Sequence, residues 1–363
     1  MSKGCRSIKK LIRTVTGTDC LIDFYHVDSM ETIDYEPIYH HLPNSVMIAS
    51  PRSKWFDFER AVSYFQERQL KFKTSPSNNP DCVITTQYHR EIELPEYKKS
   101  LTMRLMYSLT EKNFCHSRKA SKPFDAVLVP GSYSKDIISK YTNAIVVGFP
   151  KYDDFLRGLY KKQDLYKEFR LNKEKKTILY LPTWSIHSSL DYYHNAIKKI
   201  INLNRYNFIF KPHTVTVRRE RYRIDYFAQE IDKGKMLCIE KQIGLDKLFT
   251  VADIVIADGL SGAFWESVII ANLPTLAIHT EGNFQKANLE TQVHKFAFVN
   301  EDPNTLIEDL RKVEDKPLEF SQKRQAWADK LISFRDGTAG KRAAEEILNF
   351  VEVKKKKVIH RSL

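Results

Sequence analysis

No apolar run in this 363-residue chain approaches the roughly 18–20 residues that a membrane-spanning helix needs, so no spanning helix is expected. Residues 1–17 are basic but lack a long apolar segment and a small-residue cleavage site. No secretion signal is read there, and the chain is expected to work inside the cell. Cysteine is sparse: Cys5, Cys20, Cys82, Cys115 and Cys238 are odd in number, scattered, and form no CxxC pair. That argues against a disulfide framework and a structural zinc site, and for reduced, mostly buried thiols. Twelve glycines and fourteen prolines are too few for a fibrous or low-complexity chain. No metal-ligand cluster is visible, so no metal and no cofactor beyond a substrate are expected. Helix-turn-helix, zinc and aromatic–basic RNA signatures are missing too, which weighs against a nucleic-acid partner.

What is present is apolar material and positive charge. Hydrophobic residues make up 42% and aromatics 12%, enough for two cores, and the length favours two domains. The formal net charge of +13 implies an anionic partner: nucleic acid, anionic lipid or a polyphosphate substrate.

Short β-like runs alternate with helical patterns. Strands are expected at 20–25, 45–50, 82–87, 126–130 and 145–149, and again at 178–182, 208–211, 236–240, 253–257 and 275–278. Most are continuous Val/Ile/Leu/Phe runs, as in strands covered on both faces. Helices are expected at 55–68, 134–141, 190–201, 245–252, 262–270 and across 318–351. The alternation predicts an α/β chain of two lobes built on parallel sheets. The charged helical stretch 152–172 is the expected connection. It divides the chain into an N-terminal, acceptor-side Rossmann-like lobe (1–155), a C-terminal, nucleotide-donor-binding lobe (156–330) and a final helix with a basic tail (331–363).

Ligands of open α/β sheets sit at the carboxyl ends of strands, so residues following strands are the candidates. A strand runs into Lys211, Pro212 and His213; Pro212 ends the ladder and presents the His beside a cation. Such an imidazole can donate to a phosphate, although a loop or capping role explains it equally. Another strand ends in Thr85, Thr86, Gln87, Tyr88 and His89, and a His there is a candidate general base. A third is followed by Asp258, Gly259, Leu260, Ser261 and Gly262 and then a helix, which reads as a phosphate cradle or a plain cap. A fourth leads into Thr183, Trp184 and Ser185, whose hydroxyls suit phosphate. Gly148 and Pro150 suit a sharp turn between lobes.

Two basic amphipathic stretches, 6–13 and 98–109, are open between core packing and contact with an anionic membrane. The Lys354–Lys357 run is open between a solvated end and lipid contact.

Over residues 82–350 the order of these pieces resembles the CDP-glycerol glycerophosphotransferases that prime and polymerise teichoic acids and related capsule polymers. ILYLPTW (178–184), FKPH (210–213), ADIVIADGLSGAFWE (252–266), FRDGTAGKRAAEEI (334–347), VGFPKYD (147–153) and TTQYH (85–89) carry the likeness. The resemblance implies two Rossmann-like lobes facing a cleft, a GT-B-like fold. It implies His89 as base on the acceptor hydroxyl and His213 on the donor's pyrophosphate or leaving phosphate. Lys211, Thr183, Ser185, Asp258, Gly259, Ser261 and Gly262 would bind donor and phosphate, and Asp336 would face the same cleft. The implied reaction passes a polyol phosphate, glycerol phosphate first, from a CDP-activated donor to a hydroxyl of a lipid-linked or polymeric acceptor, releasing CMP. The enzyme would be cytoplasmic, at the inner face of the membrane. Arg90 replaces the family's Gly after the first His, Thr214 its Pro after the second, and Gly259–Leu260–Ser261 its Tyr-Ser-Ser. These departures leave the donor open between CDP-glycerol, CDP-ribitol and a nucleotide sugar; the last would make the chain a glycosyltransferase of the same architecture.

Overall fold

The computed structural model describes residues 20–49, 56–87, 93–109, 116–229, 231–232, 234–279 and 290–361. The sequence-predicted base His89 and the basic stretch 6–13 lie outside these residues.

Two parallel sheets organise the chain. The first contains β1 (Ile22–His26), β2 (Ser45–Ala49), β3 (Phe72–Lys73), β4 (Cys82–Thr85), β5 (Leu101–Leu105), β6 (Ala126–Val129) and β7 (Asn143–Val146). Their spatial order is β3-β2-β1-β4-β5-β6-β7. The second contains β8 (Thr177–Leu181), β9 (Asn207–Phe210), β10 (Leu237–Cys238), β11 (Ile254–Asp258), β12 (Thr275–Ile278) and β13 (Phe298–Asn300), in the order β10-β9-β8-β11-β12-β13. Every pairing is parallel, with registers such as Ile22↔Ser45 and Ile256↔Tyr180. The central strands are buried along their whole length because helices cover both faces. This is the expected two-lobed α/β, GT-B-like architecture.

Each sheet reverses its strand order once, between β1 and β4 and between β8 and β11. A crevice opens beyond the carboxyl ends of the strands at such a reversal. The motifs ending in Thr86, Thr183 and Asp258 follow β4, β8 and β11, so the topology delivers them to the two crevices.

Of the two readings left open for the stretch 98–109, the structure shows core packing. It holds β5, an inner strand between β4 and β6, not a membrane-facing segment. Leu101 and Met103 are buried in the first lobe's core. Arg104 is buried too, with Nε donating to Thr86 O at 2.9 Å and Nη1 to Ala120 O at 3.3 Å. Its charge is satisfied inside the protein by carbonyls. The helical stretch 318–351, in which Gly337 and Gly340 are expected interruptions, is two helices, Ser321–Leu331 and Ala339–Arg361, with Gly337 at φ of 69° in the break between them.

The last helix returns to the first lobe. Ala343, Ala344, Ile347 and Val351 join the core built by β1, β4 and β5. Asp153 caps its start, accepting from Ala339 N at 2.9 Å and Gly340 N at 2.7 Å. The beginning of the basic tail pairs with that lobe: Lys354 with Asp125 at 2.9 Å and Lys355 with Asp81 at 2.6 Å.

Candidate active site

A cavity of about 300 Å³ lies between the lobes. Thr183, Lys211, His213, Ser261 and Gly262 line it from the second lobe, Asp34 and Ser108 from the first, and Lys151 and Tyr152 from the connection.

Lys211 follows β9, its backbone N–H bonded to Tyr180 O at 3.0 Å. Its side chain is 6% exposed, and Nζ has no hydrogen-bond partner among the described residues. Burial, helped by the nearby Arg60 guanidinium, pushes the ammonium down to about 8. A buried cation without a partner is costly, and an anion in the cavity would relieve that cost.

His213 begins the helix Thr214–Arg219, and its Nδ1 accepts from Val215 N at 3.2 Å. That bond takes the Nδ1 lone pair, so a neutral ring carries its proton on Nε2. The Trp184 ring lies 6.1 Å from it, centroid to centroid, and Trp184 also lines the cavity.

Ser261 caps the helix Gly262–Ile269, its Oγ accepting from Phe264 N at 3.0 Å. The hydroxyl proton and the amides of Gly262 and Ala263 remain for an anion. A side chain on Gly262 would meet nothing within 4 Å, so the space before the turn is open.

Asp258 does other work. Its Oδ2 accepts from Thr183 N at 2.7 Å and Ser189 N at 3.1 Å, tying the end of β11 to the loop after β8. Asp258 and Gly259 are not among the residues lining the cavity. Ser185 also lies off the cavity; its backbone has φ of 66° and its N–H donates to Glu220 at 3.3 Å. Asp336 is also outside the lining: half-exposed, it pairs with Arg342 at 2.5 Å and accepts from Thr338 N at 3.0 Å. The structure thus brings Thr183, Lys211, His213, Ser261 and Gly262 to one cavity and leaves Ser185, Asp258, Gly259 and Asp336 outside its lining.

On the first lobe, the end of β4 is held by Glu31. Its carboxylate accepts from Val27 N at 2.6 Å, Asp28 N at 3.0 Å and the Thr86 hydroxyl. Burial pushes this carboxyl up to about 8. His26 ends β1 fully buried between Phe24 O and Thr32, and burial drives its imidazole down to about 3, so it stays neutral.

Sequence reasoning missed a linked set of polar residues in the cavity wall, Asp34, Lys151, Tyr152 and Glu266. Lys151 Nζ lies 2.8 Å from Glu266 Oε1 and 3.7 Å from Asp34 Oδ1, and the Tyr152 hydroxyl donates to Glu266 Oε2. Lys151, Tyr152 and Glu266 fell inside motifs that were quoted as a turn and a helix; Asp34 carried no signal.

Two open α/β lobes facing a cleft define a GT-B-like fold. The profile of the CDP-glycerol:poly(glycerophosphate) glycerophosphotransferase family matches residues 102–349, and the chain belongs to that family. It is therefore a glycerophosphotransferase-like transferase. No curated protein matches it in sequence. Among solved structures it resembles the wall teichoic acid polymerase TagF (13% identity, 98% of each chain, TM-score 0.62). It is similar in fold to S. aureus MnaA in complex with UDP (14% identity, 92% of this chain and 97% of that one, TM-score 0.63). The UDP-GlcNAc 2-epimerase of Neisseria meningitidis bound to UDP-GlcNAc shares the architecture (16% identity, 91% and 99% covered, TM-score 0.59).

Proposed function

We propose that the chain transfers glycerol phosphate from CDP-glycerol to a hydroxyl of a teichoic-acid-type or capsule polymer, releasing CMP. The observation that carries this reading is Lys211, a buried ammonium without a partner among the described residues, beside His213 and the Ser261-capped helix on one cavity. These three groups offer a charge, an N–H donor and backbone amides to a diphosphate.

The acceptor oxygen attacks the β-phosphorus. A new O–P bond forms, the bond to the CMP oxygen breaks, and CMP leaves with the electron pair. The acceptor proton passes to His89, the base that the family resemblance supplies. Lys211 and the amides after Ser261 hold the charge that grows on the phosphates, and the His213 Nε2–H donates to the departing phosphate. Thr183 adds a hydroxyl to the same wall. No resident cofactor or metal is invoked. Among the described residues no helix is long and apolar enough to cross a membrane. The acceptor's lipid anchor would be met at the inner face of the membrane, where the net charge of +13 favours anionic lipid.

Thermal shift with CDP-glycerol, CDP-ribitol and a panel of UDP-sugars tests the reading. Stabilisation by CDP-glycerol, abolished in Lys211→Met, is expected. Selective stabilisation by a UDP-sugar would instead make the chain a glycosyltransferase on the same fold.

A further inference from the structure

Asp34 stands on the helix Thr32–Tyr39 and is the acidic side chain that the first lobe contributes to the cavity lining. Phosphate-seeking groups occupy the opposite wall, so a carboxylate here cannot serve the donor's anionic centre. It repels phosphate and accepts hydrogen bonds. Its side chain keeps 15% exposure, so it is reachable yet largely desolvated. Lys151 fixes it: Nζ stands 3.7 Å from Asp34 Oδ1 while anchored 2.8 Å from Glu266 and 3.5 Å from Tyr107 O. Glu266 is anchored in turn by the Tyr152 hydroxyl. The chain of contacts runs from the second lobe through the connection to a first-lobe carboxylate, ending at the cavity.

We propose that Asp34 is the acceptor-orienting residue: its carboxylate accepts a hydrogen bond from the incoming polyol hydroxyl and aims that oxygen at the phosphate held across the cleft. Lys151 is a positioning residue that holds Asp34 in place. The inference rests on the glycerophosphotransferase reading and adds the side of the cleft, and the residue, that meets the acceptor. A hydroxyl suits a carboxylate where a phosphate does not, and a fixed acceptor group restricts the attacking oxygen to a productive approach.

The groups facing Asp34 set its titration. Lys151 and Tyr152 face it from the connection, Glu266 from the helix Gly262–Ile269, and Tyr35 from its own helix. Burial raises its carboxyl to about 6, Lys151 opposing and Glu266 adding to the rise. The accepting, ionised form therefore prevails above pH 6 and is lost below it.

The experiment measures acceptor kinetics with a short glycerol-phosphate oligomer, and donor binding by thermal shift with CDP-glycerol, for the full chain and two variants. Asp34→Asn should raise the acceptor KM by about 10-fold or more, the loss of one charge-assisted hydrogen bond. It should leave CDP-glycerol stabilisation unchanged and remove the acid limb near pH 6 from the kcat/KM profile. Lys151→Met removes the counter-charge and should move that limb to higher pH. An unchanged acceptor KM and acid limb in Asp34→Asn would overturn the assignment. So would equal loss of donor and acceptor binding, which would mark Asp34 as a purely structural contact between lobes. Failure of CDP-glycerol to stabilise the wild-type chain would sink the transferase reading itself, and this inference with it.

Discussion

Lys211 and His213 sit two residues apart and act by different physics. Lys211 is a charge that burial has made easy to remove, with a value of about 8. A bound diphosphate favours its protonated form, so donor affinity should be full below pH 8 and fall as pH rises through it. Titration calorimetry with CDP-glycerol from pH 6.5 to 9.5 checks this, and Lys211→Arg should hold its affinity to the top of the range. His213 serves both structure and chemistry, and substitution can separate the two. Asparagine is a good helix cap but lacks a donor in the place of Nε2–H. His213→Asn should keep the melting temperature and lose about 10²-fold in turnover, the usual scale of a lost electrostatic donor. His213→Ala should lose the same turnover and about 1 kcal/mol of stability besides. A wild-type rate in His213→Asn would confine the residue to capping.

At the scale of elements, the helix Ala339–Arg361 crosses the helix Thr32–Tyr39 at Gly340, where an added Cβ would stand 2.4 Å from Pro37 O. Backbone cannot yield as a side-chain tip can. Gly340→Ala should therefore destabilise the first lobe by about 1–3 kcal/mol through overpacking, measurable by urea denaturation. Because Thr32–Tyr39 also carries Asp34, the acceptor KM should rise with it while donor binding holds. Elements of this kind differed in how legible they were. The inner strands β8, β9 and β11 announced themselves as unbroken apolar runs, and the motifs at their ends carry Thr183, Lys211, His213 and Ser261 to the cavity lining. β5 was masked by Lys98, Lys99 and Arg104, because a buried arginine satisfied by three neighbours reads as a surface charge. β3 and β13 are two and three residues long, too short for any period to show. The Asp34–Lys151–Glu266 chain draws on positions 34, 151 and 266, which only the closed fold brings together.

At the scale of the whole molecule, the chain passes from the first lobe to the second and back. Polar bridges close the cleft's walls: Arg218 to Asp28 at 2.8 Å, Arg60 to Glu240 O at 2.6 Å, and Gln242 to Ser29 O at 3.0 Å. The return passage matters more for stability. Ala343, Ala344, Ile347 and Val351 are each no more than 1% exposed against the first lobe's core, and Asp153 on the connection is occupied by their helix's first amides. The final helix is thus part of the first lobe's fold, although it follows the second lobe in sequence. Ending the chain at residue 338 would strip one face of the β1–β4–β5 core. Losing Ile347, Val351 and the flanking contacts amounts to roughly 5 kcal/mol or more of apolar burial. That is comparable to the entire stability of a typical domain. Differential scanning calorimetry of the truncated chain should show the first lobe's transition lowered or gone while the second lobe's persists. Supplying residues 339–363 as a separate peptide should restore it, since the missing face is complementary to that helix. A truncated chain that melts as the full one does would make the final helix an appendage and place the stability of the first lobe in its strands alone.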